Sequence, residues 1–122
     1  MGLDNYPARD PEGTLLPEDE EAFRNAGIRL LGALFSDGVV SFRGKVYNDL
    51  VEQVTGVSLY QEWIPPETVQ EMAAKLAAHS PEELARMWYG EDYTEEHVRE
   101  MESLQRHFLI CAQRGLGLIG WW

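Results

Sequence analysis

Cysteine is nearly absent from this chain: Cys111 is the only one in 122 residues. A lone thiol excludes an internal disulfide framework and fits a reducing compartment. Basic residues are scarce too, with 10 Lys and Arg against 21 Asp and Glu, a formal net charge of −11. That balance argues against recognition of nucleic acid through a broad basic face. No apolar run approaches the roughly 20 residues a membrane helix needs, and the longest charge-free candidate is Gly115 to Trp122. The opening Met1-Gly2-Leu3-Asp4-Asn5-Tyr6 lacks the basic region and apolar stretch of a secretory signal. Tyr6 also stands where a myristoylation signal wants Ser or Thr. The expectation is a cytoplasmic protein without a membrane anchor.

What remains is a chain built to fold. It is 44% hydrophobic and carries four Trp, five Tyr and four Phe, too much for a disordered acidic tail. Its length suits one domain with a radius of gyration of about 14 Å. Residues 1–44 hold eight acids and four bases, 45–79 five and two, and 80–122 eight and four. The acid is spread evenly, so there is no acidic tail and no second domain of opposite sign.

Helix signals dominate the second half. Thr94 can cap a helix running to Arg114, with Met101, Leu104, Phe108 and Cys111 forming one apolar stripe and Gly115 a left-handed stop. Ser80-Pro81-Glu82-Glu83 is a capping box with proline in the first turn, opening a short helix to about Tyr89. Pro66 opens another helix, with Val69, Met72, Leu76 and Ala77 on one face. Lys45 to Thr55 reads as a fourth, stopped by Gly56. Earlier, Pro17-Glu18-Asp19-Glu20-Glu21 looks like an acidic first turn, after which Ala22, Phe23, Ala26, Leu30, Ala33 and Leu34 line one helical side. Ser36-Asp37-Gly38 signals a turn, and Val39 to Phe42 a short strand. Leu116 to Trp121 alternates in part, as a strand or an extended tail. The expected fold is mainly α: a single domain over 1–122 with four to five helices, an irregular segment at 1–17 and a docked tail at 115–122. At most a small two- or three-stranded sheet accompanies them, with α+β as the alternative.

Catalytic, metal and cofactor patterns are missing: there is no glycine-rich phosphate loop, nucleophile elbow, His-Glu-x-x-His or Cys-x-x-Cys. His107 and Cys111 are four apart on the long helix and could share an ion, but they read better as core residues. No metal and no cofactor is expected, and enzymatic activity is left open. Two constellations remain. Arg43, Gly44, Lys45 and Tyr47 sit at a helix N-terminus, where basic residues oppose the dipole, and suggest an anion pocket. Tyr60, Trp63, Trp121 and Trp122 are candidate partner contacts, since interfaces favour Trp and Tyr anchors. The competing expectation for Trp63 and Trp88 is the core. The leading functional expectation is a non-catalytic protein-binding or inhibitory module using acidic helix faces and aromatic anchors. The alternative is an anion or small-molecule site centred on Arg43.

Overall fold

The computed structural model describes residues 2–122. Its elements run β1 (Asp4–Ala8), α1 (Pro17–Arg24), α2 (Gly44–Thr55), β2 (Trp63–Ile64), α3 (Pro66–Ala77), α4 (Pro81–Tyr89), α5 (Glu95–Arg114) and β3 (Gly117–Trp121). Five helices hold half of the chain, and the strands form one antiparallel sheet in the order β1-β3-β2. The fold is mainly α with a small sheet.

The helix ends follow the chemistry of their caps. Thr94 Oγ1 accepts the His97 amide, and Ser80 Oγ accepts the Glu83 amide while the Glu83 carboxylate takes the Ser80 amide. Each arrangement satisfies first-turn donors that would otherwise lack partners. Gly56 and Gly115 take the left-handed conformation that ends α2 and α5, at φ 78° and 68°. The apolar stripe of α5 (Met101, Leu104, Phe108 and Cys111) is fully buried. It packs chiefly against α3 and α4, and α1 meets α5 as well. Each large apolar side chain buried in this way contributes about 1.5–3 kcal/mol relative to exposure.

Three expectations are corrected. The segment 1–17 is not irregular throughout, because residues 4–8 form β1 and pair along their whole length with β3. Single-strand patterning is weak there; the strand exists because the C-terminal strand supplies its hydrogen-bond partners. The helix expected through Leu34 ends at Arg24, and Gly27 (φ 70°) turns the chain into a long loop. The proposed strand at 39–42 reduces to an isolated bridge between Phe42 and Asn5. Asp37 Oδ1 accepts the amides of Val39, Val40 and Ser41, and so holds that stretch as a turn.

Two buried polar nodes tie these parts together. The Asp19 carboxylate has no exposed side-chain surface and accepts from Arg9 Nε and Nη2, both at 2.7 Å, and from Arg114 Nε at 2.8 Å. It joins the loop after β1, the first turn of α1 and the end of α5. Arg9, then Arg114, hold the Asp19 carboxyl down to about 2 against the opposing effect of its burial. His107 is fully buried among Phe23, Phe42 and Phe108. Its Nε2 lies 2.7 Å from the Val40 carbonyl, which can only accept. The proton therefore sits on Nε2, leaving Nδ1 as the acceptor facing Cys111 Sγ at 3.8 Å. Burial pushes the imidazole down to about 4 and the Cys111 thiol well above its ordinary range.

Candidate interaction surface

The sheet has one face in the core and one outside it. Successive side chains of a strand alternate in direction, and residues directly opposite on neighbouring strands share a face. Asn5, Leu118 and Ile64 are fully buried on the inner face; on the outer face Asp4, Ala8 and Gly117 are buried as well, while Tyr6, Ile119 and Trp63 are half-buried and Trp121 is exposed. The register pairs Tyr6 with Ile119, Trp63 with Ile119, and Asp4 with Trp121. Tyr6, Ile119 and Trp63 therefore form one row across three strands on the outer face, with Trp121 two residues further along β3. Gly117 makes room for this arrangement, since a Cβ there would stand 2.6 Å from Trp63 Cη2. The Trp63 ring lies over the glycine and is half-buried by the sheet rather than by the core.

The loop after α1 brings a second apolar element to the same place. Leu30 to Phe42 folds back on itself through Ala33–Ser36 and Leu30–Gly38 backbone bonds, which leave Leu34 and Phe35 at the tip. Ser36 Oγ donates to Asp4 Oδ1 at 2.8 Å, and the Tyr6 hydroxyl donates to the Phe35 carbonyl. These two bonds fix the tip beside the Asp4–Tyr6 end of the outer face. Leu34 is 88% exposed, Phe35 72% and Trp121 71%. Apolar exposure of this kind in one neighbourhood marks an interaction surface more often than a solvated one.

The four aromatic residues expected to contact a partner do not act as one group. Trp63 and Trp121 belong to the outer face. Tyr60 and Trp122 pair with each other, ring centroids 5.7 Å apart and edge to face, and alternation directs Trp122 away from Trp121. Tyr6, Leu34, Phe35 and Ile119 were not foreseen. Reading Leu34 on the buried side of a helix hid the tip. The row was hidden because it depends on a pairing between chain ends.

Nor are the four anion-pocket residues gathered around one opening. The Arg43 guanidinium lies across Gly2, leaving no space for a side chain there. Gly44 is buried, with the Asn5 amide oxygen occupying the position of its missing Cβ. The Lys45 amide donates to the Leu3 carbonyl at 3.1 Å. Protein oxygens thus stand at the positive end of α2, where an anion would otherwise approach. Tyr47 points elsewhere: its hydroxyl donates to Glu100 Oε2 at 2.6 Å and accepts the Leu31 amide at 2.9 Å.

Glu100 receives a second hydroxyl, from Tyr89, on Oε1. Tyr89 in turn stacks on His97, centroids 3.5 Å apart and 6° from parallel. Burial first, then the neighbouring carboxylate, raise the ionisation of both tyrosines far above the ordinary phenol value. An open cleft of about 670 Å³ lies here, bordered by Arg29, Leu31, Tyr89, His97, Glu100 and Arg106. Its central carboxylate has both oxygens bonded to tyrosines that cannot give up their protons near neutrality, so it serves as a tie between α2, α4, α5 and the loop. Among the described residues, no group of three or more His, Cys, Asp and Glu is placed to hold a metal, and no helix is long and apolar enough to cross a membrane. Comparison of the chain with family models, with curated proteins and with solved structures found no match in any of the three.

Proposed function

We propose that the protein is a non-catalytic protein-binding module that docks its partner on the outer sheet face and the adjoining loop tip. The carrying observation is the exposure of Leu34, Phe35 and Trp121, together with the Tyr6–Phe35 and Ser36–Asp4 bonds that tie the loop tip to the strand end opposite Trp121. Aromatic anchors dominate binding energy at protein interfaces because they release large apolar areas from water at small entropic cost. The acidic helix faces keep the rest of the surface solvated, and the lone buried Cys111 fits a cytoplasmic setting. A regulatory or inhibitory role is the consequence of binding without chemistry.

Affinity capture from native extract with four baits tests this reading: the wild type, Trp121→Ser, Phe35→Ser and the control Leu109→Ser, an exposed residue of α5. A protein retained by wild type and Leu109→Ser but lost from the other two supports it. Retention that ignores Trp121 and Phe35 removes it.

Anion binding at Arg43 keeps one observation in its favour. Among the described residues, neither Arg43 nor Lys45 has a carboxylate partner. Phosphate should then raise the melting temperature of wild type more than that of Arg43→Ala, and equal shifts would dismiss the pocket.

A further inference from the structure

We infer that the cleft between α5 and the loop after α1 takes a short peptide with free ends, its ammonium group at Glu96 and Glu100 and its carboxylate at Arg29 and Arg106. None of the docking residues named above borders this cleft, so the inference stands apart from that reading. The volume of about 670 Å³ is that of a small-molecule site. Charge gives the first argument. In a chain with 21 acids against 10 Lys and Arg, the border holds three carboxylates (Glu96, Glu100, Glu102) and three guanidinium groups (Arg29, Arg99, Arg106). An anion alone would meet these carboxylates and a net charge of −11, and a cation alone would meet the arginines. A ligand carrying both signs answers both.

The second argument is which of these charges are left over. Arg99 pairs with Glu95, and each oxygen of Glu100 holds a tyrosine hydroxyl. Among the described residues, neither the Arg29 guanidinium nor the Glu96 carboxylate has a hydrogen-bond or ion-pair partner. Arg106 has Glu102 one turn back on its own helix, yet its guanidinium reaches to the Ala26 carbonyl at 2.9 Å. Guanidinium groups present forks of donors that match a carboxylate. Glu96 is a free acceptor for an ammonium, with the charge of Glu100 one turn away.

Spacing gives the third. Along α5, Glu96 and Glu100 precede Ser103, and Arg106 follows it. Ser103 Oγ accepts the Arg29 amide at 3.1 Å, which roots Arg29 at the same level. Glu100 and Arg106 are rooted about 9 Å apart along the helix axis. Two or three extended residues span about 7–10 Å, so a peptide of that length reaches both ends. Between them, Leu30, Leu31 and the stacked Tyr89–His97 pair border the cleft with apolar and aromatic surface for side chains. His97 Nδ1 accepts the Thr94 amide at 3.0 Å, so Nε2 carries the proton, and no acceptor is bonded to it among the described residues. A peptide carbonyl supplies one.

The test is calorimetric titration of the whole protein with an array of dipeptides and tripeptides bearing free ends. Matched arrays are N-acetylated, which removes the ammonium, or C-amidated, which removes the carboxylate. The expected result is saturable binding by members of the first array, with both matched arrays about tenfold weaker or worse. Arg29→Gln and Arg106→Gln should each weaken the free-ended peptides by a similar factor and leave the amidated ones unchanged. Glu96→Gln should weaken the free-ended peptides and leave the acetylated ones unchanged. Lys75→Gln and Glu71→Gln, on α3 outside the cleft, should alter neither. Arg29 makes no side-chain bond in the fold, so its variant carries the test even where Arg106→Gln loosens the loop from α5. The inference is overturned if no free-ended peptide exceeds its blocked matches, or if the preference for a free carboxylate survives Arg29→Gln. Equal binding of the acetylated array would make the occupant a simple anion, and equal binding of the amidated array a simple cation; either result overturns the zwitterion.

Discussion

The Tyr47 hydroxyl bridges the Leu31 amide and the Glu100 carboxylate, at 2.9 and 2.6 Å, joining α2 to a loop 16 residues before it and to α5, 53 residues after it. The loop it holds is the one whose tip reaches the outer sheet face. Tyr47→Phe removes the only acceptor for a part-buried amide and one of two hydroxyls on Glu100, a loss of about 1–3 kcal/mol. Urea unfolding should report that loss. Hydrogen exchange should show faster exchange at Leu31, while the amides in the middle of α5 fall only with global stability.

Stability should decline in two stages as pH is lowered. His107 titrates at about 4 in the fold and near 6.5 when unfolded. Between those values the unfolded chain binds a proton that the native core excludes. The full contribution is therefore present above pH 6.5, and about 3 kcal/mol is lost by pH 4. His107→Gln should flatten this window, as measured by denaturant unfolding at a series of pH values.

The second stage belongs to Asp19, with a native value of about 2 against 3.8 for the free carboxyl. Its contribution is present above pH 4 and lost as pH falls through 2. With allowance for the partly exposed guanidinium groups of Arg9 and Arg114, it amounts to about 1–2 kcal/mol. Asp19→Asn should lower stability at neutral pH and abolish this acid-side stage.

Gly117→Ala should destabilise the sheet by about 1–3 kcal/mol, because the new methyl meets the Trp63 ring and the Ile64 carbonyl. A lowered melting temperature with red-shifted tryptophan emission is the expected signature. Unchanged values would mean that Trp63 does not lie over Gly117.

Cys111 should be inert in the native state. It is fully buried, its ionisation is suppressed, and only the thiolate reacts readily. Labelling by an aromatic disulfide reagent should follow the opening of the fold, accelerating in urea in parallel with unfolding. Rapid labelling in buffer would contradict the burial of the α5 stripe.

The legible parts of this protein were those whose physics is local. Ser80-Pro81-Glu82-Glu83 and Thr94 carry their own capping groups, Gly56 and Gly115 their own stops, and Met101–Leu104–Phe108–Cys111 its own period. Each signal lies within a few residues of the element it defines. The candidate surface was only half legible. Trp63 and Trp121 stood out as aromatic residues, but their relation to Tyr6 and Phe35 rests on β1–β3 pairs more than a hundred positions apart, on the Trp63–Ile119 pair and on the Tyr6–Phe35 bond across 29 residues.

By itself, then, the sequence determined the helices from Gly44 onward, the acidic surface and the lack of disulfide, cofactor and membrane signatures. Caps, periodicity and composition act at short range and need no fold to be read. Tertiary structure decided that residues 4–8 are a strand, that α1 stops at Arg24, that Asn5 and Leu3 cover the start of α2, and that a loop tip carrying Leu34 and Phe35 is tied to the outer sheet face. Those outcomes depend on hydrogen-bond partners and packing neighbours that only the closed chain brings within reach.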